Sequence, residues 1–103
     1  MMIVQGDIYF IKKKLPRRVR KIDHNGLLKQ GEVTGHCHRV AEADLDNLDF
    51  YEDSEGVLWL KVNKEVVVVH EEHFPVVLEP GEYWMDSQIE DNAFGEEIRE
   101  IKD

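Results

Sequence analysis

Along residues 2–11, "MIVQGDIYFI", apolar side chains form two interleaved sets, Ile3, Ile8 and Phe10 and then Val4, Tyr9 and Ile11. This β-rich run predicts a first strand, with Gly6 and Asp7 interrupting it at a bulge or bend. "KKKLPRR" breaks the pattern, because Pro16 has no N–H to give a ladder and is tolerated only at an edge or in a loop. "VRKID" resumes alternation with Val19 and Ile22, and "HNG" at 24–26 brings the Asn-Gly pair that a tight turn prefers, so 17–34 is predicted as a hairpin. "HRVAEA" reads as a further strand. "DLDNLDFYED" alternates acidic and apolar residues before "DSEG" turns the chain into "VLWLKV", a second hairpin.

Beyond it, "NKE" is a turn and "VVVVH" a β-branched strand expected to be buried on both faces. "EPG" at 79–81 is a third turn, between "PVVL" and "EYWM". In the tail "NAFGEEIREIKD", Ile98 and Ile101 lie three apart among charges, the pattern of a short C-terminal helix or a frayed strand. The regular spacing predicts an all-β fold, a small antiparallel barrel or sandwich of six to eight short strands.

With 103 residues the chain has the length of one domain, 1–103, and one modest core. Its 42% hydrophobic content is too high for a disordered chain, and its 34% charged content too high for a membrane protein. The longest apolar run is Val66 to Val69, far short of the roughly 20 residues that a spanning helix needs. "MMIVQGDIYF" has neither a basic start nor a small-residue cleavage site, so no signal peptide is expected and a cytoplasmic location is.

Charge changes the picture more than composition does. The net charge of −9 divides into eight Lys/Arg against two Asp/Glu in residues 1–30, and five against twenty in 31–103. The two parts are expected to face each other or to face different partners. A body this acidic repels phosphate backbones, so nucleic-acid binding is disfavoured except through the basic segment 12–21, whose seven cations read more simply as a solvated edge strand.

The candidate chemistry lies in the histidines. On a strand, residues two apart share a face, so His36 and His38 of "GEVTGHCHRV" offer their rings to one point while Cys37 points away. A second pair, His70 and His73 of "HEEHFP", follows four valines, where a buried strand reaches the rim. These two face one site only if the segment bulges or turns; on a regular strand, Glu71 and His73 would share a face instead. Cys37 is the one cysteine, which removes every cysteine-pair zinc pattern and leaves histidine and carboxylate as metal donors. Imidazole suits a divalent transition metal, Zn, Ni, Fe or Mn. The four histidines then form the expected ligand set, with Glu71 or Glu72 as proton carrier in a hydrolytic site. Against this stands the plainer reading of each pair as a hydrogen-bonded or unrelated surface position.

"HCHRVAE", His-x-His with Glu42 four residues on, resembles the first metal-binding motif of the cupin family of small β-barrels, which implies a later histidine, His70 or His73, as the fourth ligand. A resemblance covering most of the chain rests on "QGDIYF", "GEVTGHCHRV" and "HEEHFPVVLEPGEY". It is to an uncharacterised group of small prokaryotic proteins with a Gln-Gly-Asp start, a Gly-Glu-Val-Thr-Gly-His-x-His segment and a His-Glu-Glu-His-x-Pro segment. It implies no activity.

No Ser-His-Asp set and no phosphate-cradling glycine loop is present. Trp59, Trp84, Tyr83 and Phe74 are expected in the core or at its rim. Two function classes follow: a divalent-metal site at the histidines, hydrolytic or cupin-like, or a non-enzymatic interaction module in which the histidines form a metal-free polar cluster. Exposed strand edges also make a homodimer an expected assembly.

Overall fold

The computed structural model describes residues 2–30 and 35–87. In chain order the strands are β1 (Met2–Gln5), β2 (Ile8–Lys12), β3 (Val19–Ile22), β4 (Leu27–Gln30), β5 (Cys37–Val40), β6 (Leu48–Asp53), β7 (Leu58–Val62), β8 (Val66–Val69), β9 (Val76–Leu78) and β10 (Gly81–Ser87). A 3₁₀ helix, Glu42–Asn47, separates β5 from β6. The sheets have the orders β1-β2-β10-β7-β6-β3 and β4-β5-β8-β9, with every pairing antiparallel. The fold is an open, all-β sandwich rather than a closed barrel, with ten strands among the described residues where six to eight were expected. The predicted C-terminal helix lies outside the described residues.

The core follows from alternation. Ile8 and Phe10 of β2, Leu48 and Phe50 of β6, Leu60 and Val62 of β7, and Tyr83 and Met85 of β10 turn inward from the larger sheet. They meet Leu28, Val40, Val66, Val68 and Leu78 of the smaller one. Burying such aliphatic and aromatic groups gives about 1.5 to 3 kcal/mol each, the main stabilisation a chain of this size has. The four valines of β8 bury only Val66 and Val68 fully; Val67 and Val69 are half-buried, so the strand is not covered on both faces as expected.

The expected first strand is a hairpin. β1 and β2 pair from Met2↔Ile11 to Gln5↔Ile8, joined by the two residues Gly6 and Asp7. Gly6 has φ +58, which glycine adopts at no steric cost and which the first loop position of a II′ turn requires. The expected hairpin at 17–34 does not form: β3 pairs with β6 and β4 with β5. The Asn25-Gly26 turn carries the chain from one sheet to the other instead. His24 explains why, since its ring stacks on Phe50 at 4.1 Å, with Nδ1 accepting the Gly26 N–H at 3.1 Å. Gly26 O then accepts from Val40 N at 2.8 Å, which ties the turn to β5. The β6–β7 hairpin forms as expected, from Leu48↔Val62 to Glu52↔Leu58.

Between β2 and β3 the chain crosses from one side of the larger sheet to its far edge, past β10, β7 and β6. Strand register sets Ile11, Trp84, Trp59 and Tyr51 side by side beneath this crossing, on the face away from the core. Lys13 Nζ lies 5.7 Å from the Trp84 ring and 6.0 Å from that of Trp59, a cation over aromatic faces. Trp59 is consequently only 6% exposed although it points away from the core. The basic segment therefore pairs with the acidic body in part: Arg20 with Glu52, Lys21 with Asp49, and the Leu15 N–H with Glu82.

Candidate functional site

Three pieces of chain meet at one end of the sandwich: the β1–β2 turn, the start of β5 and the β8–β9 connection. Register explains the first juxtaposition of histidines. Arg39 of β5 pairs with Val69 of β8, so in antiparallel order the next positions to face each other are His38 and His70. β8 ends at Val69, and residues 70–75 turn out of strand geometry. That turn meets the condition for His70 and His73 to face one place, and the alternative in which Glu71 and His73 share a strand face does not occur.

The four rings adjoin. Centroid separations are 4.3 Å for His38–His70, 4.7 Å for His70–His73, 5.8 Å for His36–His70 and 6.1 Å for His38–His73. Gly6 permits the closest approach of the β1–β2 turn, because a Cβ there would lie 2.5 Å from His73 Nε2 and 3.2 Å from His38 Cε1.

His38 is the buried member, 2% exposed, and both its ring nitrogens are engaged. Nδ1 lies 2.8 Å from Gln5 Oε1 and Nε2 lies 2.9 Å from Asp7 Oδ1. Gln5 is fully buried, and its amide nitrogen donates to Val68 O at 3.0 Å and Phe74 O at 2.9 Å. With both amide hydrogens spent, Oε1 is an acceptor, so His38 Nδ1 is the donor of that pair. Asp7 Oδ2 forms an ion pair with Lys29 Nζ of β4. Burial pushes the His38 pKa below the ordinary imidazole value; Asp7 opposes this and the neighbouring His70 and His73 reinforce it. Burial pushes Asp7 up, but hydrogen bonds from Lys29 and His38 and their charges outweigh it and hold the carboxyl below its usual range.

The other predicted residues lie around this centre. His36 precedes β5, with a quarter-exposed side chain whose Nδ1 is 3.4 Å from Glu72 Oε1. His70 Nδ1 accepts the Glu72 N–H at 3.0 Å. Glu71 does not point a free carboxylate at the rings: its Oε1 accepts the Cys37 N–H at 2.8 Å and ties the connection to β5. That hydrogen bond, with one from its own N–H and the charges of His70 and His36, holds Glu71 below its usual range. Glu42, part of the cupin-like His-x-His-x3-Glu spacing, begins the 3₁₀ helix and lies beyond the end of β5. Phe74, expected in the core or rim, is 89% exposed.

Among the described residues, no three His, Cys, Asp or Glu side chains form a finished metal-binding group. The nitrogens of His38 and Nδ1 of His70 are held in hydrogen bonds instead. Sequence reasoning missed Gln5, Asp7 and Lys29. The signal for the first two is a glutamine at an inward position of a strand with Gly-Asp after it, which the alternation alone presents as a bulge or bend; Lys29 carries no such signal.

The family comparison covers this whole arrangement, since the matching sequence model spans residues 4–88, from β1 to the residue after β10. The chain belongs to DUF8820, a domain of unknown function. All the residues described above, from Gln5 to Phe74, fall within the match. No curated protein matches the chain, and no solved structure does.

Proposed function

We propose that the histidine end of the sandwich binds one divalent transition-metal ion. The observation that carries this reading is the packing of four imidazoles from two distant stretches of chain, with neighbouring rings 4.3 to 6.1 Å apart between centroids and His70 adjoining the other three. Rings bound to one tetrahedral ion through nitrogens at about 2.0 to 2.1 Å have centroids on the order of 5 Å apart. Gln5 supports it, because a ligating imidazole commonly gives its second N–H to a fixed acceptor, which sets tautomer and ring orientation. Binding exchanges hydrogen bonds for coordinate bonds, and His36, His70 and His73 lie in turn or loop segments that can adjust. In a hydrolytic site the metal would supply an activated water, and Glu72, with a side chain 65% exposed beside His36, is better placed than Glu71 to carry the proton.

The second reading, an interaction module with a metal-free polar cluster, is favoured by the hydrogen bonds that already occupy His38 and His70. Elemental analysis of untagged protein separates the two. About one zinc, nickel, iron or manganese per chain, lost in the His36→Ala/His70→Ala double variant, is the expected result for a site holding one ion through several histidines. Metal-free protein that takes up none of these ions on reconstitution leaves the second reading.

A further inference from the structure

We infer that Asp7 supplies an oxygen ligand to the cation at this end of the molecule, with Lys29 as its positioning residue and Gln5 orienting the His38 ring beside it. The inference rests on the metal reading above and names a donor that the histidine pattern does not contain. Its basis is the pairing of donors and acceptors around His38. Gln5 has spent both amide hydrogens on Val68 O and Phe74 O, so it can only accept from His38 Nδ1. In the neutral ring the remaining nitrogen, Nε2, is then an acceptor, and it faces a second acceptor, Asp7 Oδ1, at 2.9 Å. A proton on Nε2 makes the ring an imidazolium that donates to Asp7, the hydrogen bond described above; without that proton, a lone pair and a carboxylate oxygen at this separation repel unless a metal ion takes its place. Two donor atoms bound to one ion at about 2.0 to 2.2 Å are themselves roughly 3 Å apart, so the spacing fits neighbouring ligands.

The surroundings orient rather than compete. Lys29 takes the other carboxylate oxygen, Oδ2, and so leaves Oδ1 to bind through a single oxygen. Gly6, at φ +58, lets the turn place Asp7 beside His38 while His73 lies against the same glycine. The donor set that results, imidazoles with one carboxylate, is that of a borderline divalent ion such as Zn(II) or Fe(II).

Zn(II) and Co(II) titrations of the full chain, followed by calorimetry and by the Co(II) absorption spectrum, test this. Asp7→Asn keeps the size of the side chain and removes its charge; Asp46→Asn, at an exposed position of the 3₁₀ helix, makes the same change of net charge away from the site. The expected result is a loss of at least about 10- to 100-fold in affinity, with an altered Co(II) spectrum, for Asp7→Asn and wild-type behaviour for Asp46→Asn. If Asp7→Asn is folded and binds as tightly as wild type while His38→Ala does not bind, Asp7 is no ligand and the metal reading stands without it. If wild-type protein binds neither ion, both proposals fall. Should Asp7→Asn not fold, the carboxyl carbon resonance of Asp7 in labelled wild type decides: it shifts on Zn(II) addition if Asp7 is a ligand. A stationary Asp7 signal alongside moving histidine signals overturns the proposal.

Discussion

Gln5 shows how one buried side chain can hold a site together. Its amide reaches the carbonyls of Val68 and Phe74 and the ring of His38, none of them within 30 positions in the chain. Gln5→Leu would take this partner from Val68 O and His38 Nδ1 in a buried place and from Phe74 O in a part-buried one, at about 1–3 kcal/mol for each buried unsatisfied group. We expect a loss of more than about 2 kcal/mol in urea unfolding; a variant as stable as wild type would mean that water replaces the amide. Gly6 is a second such position. Gly6→Ala forces a positive φ on a side-chain-bearing residue and drives its Cβ against His73, so a loss of about 1–3 kcal/mol and a shift of the His73 ring resonances are expected. Unchanged His73 signals would show that the ring does not lie against the turn. At this scale the sequence made the histidines legible by type and spacing, whereas the roles of Gln5 and Asp7 depend on who their neighbours are.

Among the elements, the β6–β7 hairpin offers the clearest pH test. Asp53 Oδ1 accepts the N–H groups of Glu55 and Val57 at 2.8 and 3.0 Å, and its Oδ2 accepts from Trp59 Nε1 at 3.1 Å. The Val57 and Trp59 hydrogen bonds lead in holding its carboxyl below the ordinary value of 3.8. A carboxylate with a depressed folded-state pKa adds stability that is complete above the unfolded value and is lost as pH falls through the folded one. The stability gap between wild type and Asp53→Ala, followed by Trp59 fluorescence, should therefore be constant near neutral pH and shrink in acid below 3.8. A gap that stays constant into acid would place the benefit elsewhere. The crossing over the outer face gives a smaller effect: Lys13→Ala should cost no more than about 1 kcal/mol and alter tryptophan emission. The "DSEG" hairpin was readable because its signals are local. The Asn-Gly turn misled because a tight turn fixes the local bend but not which strands pair on either side of it.

For the molecule as a whole, ligand linkage gives the strongest expectation. If the histidine end binds metal only when folded, an ion at 100 times its dissociation constant adds about 2.7 kcal/mol of stability. Thermal unfolding should then move up on adding Zn(II), return on chelation, and stay unmoved in His36→Ala/His70→Ala. An equal shift in that variant would assign the effect to other surface carboxylates. The net charge of −9 is not spread evenly, and the fold draws its basic stretch across the acidic sheet, which lowers self-repulsion without removing it.

By itself the sequence determined the all-β class, the local turns and the four histidines, because alternation, turn chemistry and residue type act over a few neighbouring positions. Only the tertiary structure decided that the strands divide between two sheets, that Gly6 and Asp7 close a hairpin, and that Gln5, Asp7 and Lys29 surround His38. Those outcomes depend on which strand lies beside which, a choice made by the burial of the whole core rather than by any short stretch of chain.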